Sequence, residues 1–85
     1  MKLTLEFFGP LQDRMGQAET IVDLAAAPAD LTALIGTLAP ILDAGEALRD
    51  PHLRVAINDQ ICGSASMPTL KDNDRVAFLS PFSGG

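Results

Sequence analysis

The residues best suited to chemistry are Gly84 and Gly85, the last two of the chain. Their usefulness lies in having no side chains. A carboxylate preceded only by glycines forms a thin tip that passes a narrow channel and reaches an active site in another protein. Such a carboxylate is inert until it is activated as an acyl donor that a nucleophile can attack. Both steps favour clefts that exclude water, and a side chain at either position would crowd them. The competing reading of Gly84-Gly85 is a solvent-exposed end with no task, the default for chain termini.

Other reactive residue types lack the company their chemistry needs. Cys62 is the one cysteine, so no internal disulfide is expected. A reactive thiol needs a nearby base, and none flanks it, so a half-buried structural role is expected. His52 is the one histidine and cannot alone supply a metal site. Asp72 and Asp74 flank a polar turn without the spacing of a calcium loop, and are read as turn formers. No Walker motif or GxGxxG occurs, so ATP, if used, belongs to a partner. The chain is therefore expected to hold no self-sufficient active site, no metal and no bound cofactor.

Composition narrows the partners. Eighty-five residues make one domain, and 47% hydrophobic residues are enough for one core. The net charge of −5 argues against nucleic acid and against an anionic membrane surface. It favours a basic patch on another protein, or reflects no more than a soluble acidic surface. The start, MKLTLEFF, lacks the apolar core of a secretory signal. No apolar run approaches the roughly 20 residues of a membrane span, so a cytoplasmic location is expected.

The elements that must carry the tail follow from periodicity. Lys2 to Phe8 alternates as a strand, with Leu3, Leu5 and Phe7 on one face. Gly9-Pro10 breaks it, and Gly16 closes a polar loop. Glu19 to Leu24 reads as a second strand in a hairpin with the first. Asp30 is a plausible N-cap for a helix whose Leu31, Leu34, Ile35 and Leu38 form one stripe. Pro40 either limits this helix or begins a short turn through Ile41, Leu42 and Leu48, which Pro51 ends. Leu53 to Ile57 alternates again, Asn58-Asp59 turns, and Gln60 to Cys62 returns briefly. Arg75 to Ser80 is the last strand, with Val76 and Phe78 inward.

This order fits an α+β fold, a mixed sheet with one main helix packed across one face. The domain is read as residues 1–80, with 81–85 as a flexible tail. Alternation then turns Phe8, Ala56, Ala77 and Leu79 toward the uncovered face, with Ile61 nearby. Apolar residues there point to a docking patch. A bulge near Phe8 would instead turn that ring into the core. Beyond the patch, Pro81 stiffens the exit and Phe82 is an anchor for the tail. Five extended residues reach roughly 17 Å.

Two stretches carry a family resemblance. They are Leu53-Arg54-Val55-Ala56-Ile57-Asn58-Asp59-Gln60 and Leu70 through Gly85. They resemble the A-V-N turn and the L-x-D-G-D-E-V-A-F-x-P-P-V-x-G-G end of the molybdopterin synthase small subunit. Phe7-Phe8-Gly9, followed by Gly16, is similar to the opening of that family. The match spans nearly the whole chain, and its last third is the specific part. Sulfur carriers of thiamine synthesis and tRNA thiolation share the fold and the Gly-Gly end, but usually lack the V-A-F-x-P-P segment.

The resemblance implies a ubiquitin-like β-grasp fold and a sulfur carrier. It implies that an activating enzyme, similar to those that activate ubiquitin, adenylates the C-terminal carboxylate with ATP. Sulfur from a sulfurtransferase then displaces AMP and leaves a thiocarboxylate. In the large subunit's active site this thiocarboxylate donates sulfur to cyclic pyranopterin monophosphate, and two transfers complete the dithiolene. Gly85 is by this resemblance the modified residue and Gly84 its slim neighbour. By the resemblance Phe8, Ile61 and Leu79 contact both the large subunit and the activating enzyme; Pro81 and Phe82, at the exit of the tail, complete the expected partner-binding residues. The chain departs from the family at Gln12 (commonly Arg), Asn73 (Gly), Ser80 (Pro) and Phe82 (Val). Alternatives are a carrier for thiamine, cysteine or tRNA thiolation, and a ubiquitin-like modifier joined to lysines.

Overall fold

Alternating apolar residues build the sheet. In a computed structural model, which describes residues 1–63 and 67–80, β1 (Lys2–Phe8) pairs antiparallel with β2 (Glu19–Asp23). β3 (Arg54–Ile57) and β4 (Gln60–Cys62) form a second hairpin. The last strand, β5 (Asp74–Leu79), lies between the hairpins, parallel to β1 and antiparallel to β3. The order is β2-β1-β5-β3-β4, so β5 is the central strand. A parallel neighbour cannot be reached by a tight turn, so the long chain between β1 and β5 must cross over the sheet. That crossover holds the helical elements. The result is the expected mixed sheet covered on one face, the ubiquitin-like β-grasp.

The covered face is the core. Leu3, Leu5 and Phe7 from β1 meet Val76 and Phe78 from β5, all fully buried. The rings of Phe7 and Phe78 stack with centroids 6.0 Å apart. Helix α2 (Leu31–Leu38) buries Leu34 and Leu38 completely and packs Leu31 and Ile35 at the margin. Asp30 caps it, its Oδ1 accepting from the Ala33 N–H at 2.8 Å. After Ala39 a 3₁₀ turn, Gly45–Arg49, buries Ala47 and Leu48. Thus the short turn before Pro51 exists, although Ile41 is left exposed. Gly45 is tight against Ala39, whose carbonyl oxygen occupies the place of a Cβ.

One expected loop is a helix. Residues Pro10–Met15 form α1, between Gly9 and a left-handed Gly16. Pro10 is suited to a first turn because it has no N–H to leave unpaired. Leu11 and Met15, four residues apart, both turn into the core. Gly16 closes the helix by donating its N–H toward the Gln12 and Asp13 carbonyls.

Polar turns fix the register. Asn58 and Asp59 both have positive φ, 48° and 71°, which suits a two-residue hairpin. The Asn58 side chain accepts from the Arg75 N–H and donates to Asp74 Oδ1, each at 3.0 Å, tying the hairpin to β5. Asp72 Oδ1 accepts from the Lys2 N–H at 2.7 Å, and Asp74 Oδ2 from the Lys71 N–H at 2.8 Å. Both aspartates are therefore turn formers, as read from the sequence. Asn73 takes the left-handed conformation, φ 71°, which its short polar side chain tolerates.

Candidate functional site

The site is built on the sheet face that no helix covers. Strand pairing sorts its residues into rows across the sheet. One row runs Glu6, Ala77, Ala56, Ile61, and the next runs Phe8, Leu79, Arg54. Phe8 is 44% exposed and Ile61 56%, while Leu79 and Ala77 are half-buried. Phe8 lies directly beside Leu79 in parallel register, with no bulge to turn it inward. Phe8 and Leu79 thus share one surface, as the alternation predicts, and the β3–β4 register brings Ile61 onto it. Ala56 is the departure. It belongs to the uncovered face by register, yet it is buried. Its methyl lies between Ala77 and Ile61 on the flanking strands and reaches little solvent.

Charged residues rim this patch. Arg75 donates to Glu6 from Nε at 3.3 Å and from Nη2 at 2.9 Å. This hydrogen-bonded carboxylate raises the guanidinium's already high pKa. At a surface such a pair is screened by solvent, so it orders the rim more than it stabilises the fold. An apolar centre within a charged rim is the usual anatomy of a protein contact.

The patch adjoins the root of the tail. Leu79 ends β5, and Ser80 follows beside Gly9: a Cβ on Gly9 would stand 3.5 Å from the Ser80 carbonyl oxygen. Gly9 itself has φ 66° and ψ −151°, a conformation essentially restricted to glycine. Gly9→Ala is expected to cost about 1–3 kcal/mol of stability, read from urea unfolding. Domains of this length commonly have about 4–13 kcal/mol in total, so the variant should remain folded at 25 °C. Pro81, Phe82, Gly84 and Gly85 lie outside the described residues.

The set-aside residues occupy structural places. Cys62 is buried in the core, and its Sγ donates to the Gln60 carbonyl at 3.2 Å. His52 is exposed, and Asp50 Oδ1 accepts from its backbone N–H at 2.9 Å. That bond holds the Asp50 carboxyl below its ordinary pKa. Among the described residues, no three His, Cys, Asp or Glu gather as a metal site. No helix among them is long and apolar enough to cross a membrane. A cleft of about 290 Å³ opens between the Asn58 turn and Pro68–Lys71. Its Asn58 and Asp74 side chains are bonded to each other, not aimed at a ligand.

Known proteins share this architecture. The fold is similar to SAMP1 from Haloferax volcanii, with a TM-score of 0.73 and 20% identity over all of both chains. The small archaeal modifier protein 1 of Methanosarcina acetivorans gives 0.68 and 18%, over 99% of this chain and 96% of that one. At those identities the likeness is one of fold. A complex of subunits 1 and 2 of the molybdopterin-converting factor from Helicobacter pylori 26695 matches at 0.66 and 25%, over 100% of both chains. No curated protein matches the sequence. Residues 5–85 match the ThiS family. With nearly its whole length matched and the β-grasp sheet in place, the chain belongs to the ThiS family of ubiquitin-like sulfur carriers and modifiers.

Proposed function

We propose that this protein is the sulfur-carrying small subunit of molybdopterin synthase. The observation that carries this reading is the pairing of Phe8 with Leu79 on the uncovered face, two residues before the tail begins. A partner that grips the patch also receives the residues that follow it. Phe8, Ile61 and Leu79 dock on the large subunit, and Pro81 and Phe82 guide the tail inward. Gly84 passes the constriction and Gly85 presents its carboxyl group. The Helicobacter pylori factor, solved as subunit 1 with subunit 2, supports a two-subunit assembly. The resemblance of Leu70–Gly85 to the small-subunit ending supports this pathway over thiamine, cysteine or tRNA thiolation.

The chemistry divides between partners. An activating enzyme supplies ATP, and the Gly85 carboxylate attacks its α-phosphorus, releasing pyrophosphate. A persulfide's outer sulfur displaces AMP to form an acyl disulfide, and a second thiol attacks the other sulfur of that S–S bond, forming a new disulfide and releasing the thiocarboxylate. The large subunit supplies the groups that bind the pterin. The thiocarboxylate sulfur passes to cyclic pyranopterin monophosphate.

The test is the intact mass of the protein isolated from its own host. A fraction heavier by the difference between sulfur and oxygen, mapped to Gly85 and lost on incubation with large subunit and pterin substrate, is the expected result. A Gly85 found only in an isopeptide bond to lysine would replace this reading with that of a protein modifier. Sulfur on Gly85 that the large subunit and pterin leave in place would assign the carrier to another pathway.

A further inference from the structure

A second surface lies at the edge of the sheet. β2 is an outer strand, and only one of its sides faces β1. The Phe7 N–H donates to the Ala18 carbonyl at 2.8 Å, and the Leu24 N–H to the Met1 carbonyl at 2.7 Å. In an antiparallel pair the bonded residues alternate, so 18, 20, 22 and 24 bond to β1. Glu19, Ile21 and Asp23 therefore point their N–H and C=O groups outward. Among the described residues, no strand pairs with that side.

The side chains of the same three residues share the uncovered face. Ile21 is 66% exposed, the highest value of any large hydrophobic residue described. Glu19 and Asp23 flank it, both exposed. Asp23 keeps 69% side-chain exposure even though its Oδ1 accepts from the N-terminal ammonium at 3.1 Å. Glu19 stands opposite Glu6, whose charge is already met by Arg75. One free side of backbone groups thus carries the pattern acid, isoleucine, acid over roughly 13 Å.

This pattern selects among strands. A second copy pairing antiparallel about Ile21 would set Glu19 against Asp23 twice, and like charges directly opposite are destabilising. A basic extended segment meets the reverse condition. We propose that the β2 edge binds an extended segment of another protein that places a basic, an apolar and a basic side chain at alternate positions. The segment adds as a sixth, antiparallel strand, taking main-chain bonds from Glu19, Ile21 and Asp23. Its cations face the two carboxylates and its apolar side chain covers Ile21. The net charge of −5 draws it in from solution. This edge is offset from the Phe8–Leu79 patch along the strands: Asp23, Ile21 and Glu19 stand opposite Lys2, Thr4 and Glu6 of β1, and Phe8 lies beyond that pairing.

A labelled synthetic peptide with Lys, Val and Lys at alternate positions tests the proposal by fluorescence polarisation. Saturable binding is expected, with amide NMR shifts confined to residues 18–24. The Glu19→Lys/Asp23→Lys double variant should weaken binding about tenfold or more, as should Glu in place of Lys in the peptide. Phe8→Lys should leave the affinity unchanged. No binding at millimolar peptide, equal binding by the double variant, or shifts centred on Phe8 and Leu79 would each overturn the proposal. None of these outcomes depends on sulfur carriage by Gly85.

Discussion

Gly85→Ala is expected to leave the thermal midpoint unchanged and reduce molybdopterin formation by about a hundredfold or more. The two halves of that result have separate causes. Among the described residues the core runs from Leu3 to Phe78. Stability is set by the stacked Phe7 and Phe78, the α2 stripe and the β1–β5 ladder, all upstream of the tail. Transfer, in contrast, requires the carboxyl carbon within reach of a nucleophile in a closed cleft. A methyl beside it displaces the reacting atom by an ångström or more, and misplacement on that scale costs about two orders of magnitude. Quantifying thiocarboxylate and product separately locates the loss. Full charging with no product would place the constriction in the large subunit. Loss of charging would place it in the activating enzyme. Normal charging together with normal product would refute the role of Gly85.

Much of the fold was legible because period and burial agree. Leu3, Leu5, Phe7, Val76 and Phe78 alternate in sequence and are all buried in space. Asp30 signalled its helix because its side chain competes for the first free N–H groups. Asn58-Asp59 and Asn73 signalled turns because short polar side chains tolerate positive φ. The helix α1 was hidden by its length. Six residues give only one apolar repeat, Leu11 to Met15, and Gly9-Pro10 reads as a break before it reads as a cap. Pro at the first helical position and Gly16 after the last were the available signals.

The site was legible in part. Alternation places Phe8 and Leu79 outward but cannot pair them. The parallel register of β1 and β5 is a non-local fact, which local pattern does not contain. Ala56 shows the same limit from the other side: its face was right, but its burial depends on Ala77 and Ile61 from two other strands. The β2 edge passed unnoticed because Glu19, Ile21 and Asp23 look like an ordinary alternating strand. Their meaning comes from lying at the margin of the sheet.

Phe8→Lys and Leu79→Lys are each expected to weaken binding to the large subunit about a hundredfold while the domain stays folded. Folding should survive because Phe8 is 44% exposed and a lysine there can run its stem over the sheet and keep its ammonium in water. Affinity should fall because the centre of a contact patch is desolvated on docking, and an unpaired charge there has no compensation. The rows decide the ranking. Phe8 and Leu79 lie side by side at the patch centre, next to the tail root, so either lysine disrupts the same contact. The double variant should therefore lose much less than the sum of the two single losses. Ile61 stands at the outer strand, and Ile61→Lys should cost less than either. Isothermal titration with the large subunit, alongside thermal unfolding of each variant, makes the comparison. Ile21→Lys serves as the control, because Ile21 stands opposite Thr4, away from the Phe8–Leu79 pair. Unchanged affinity for folded Phe8→Lys and Leu79→Lys would remove the uncovered face from the docking surface. The tail would then have to be recognised by itself.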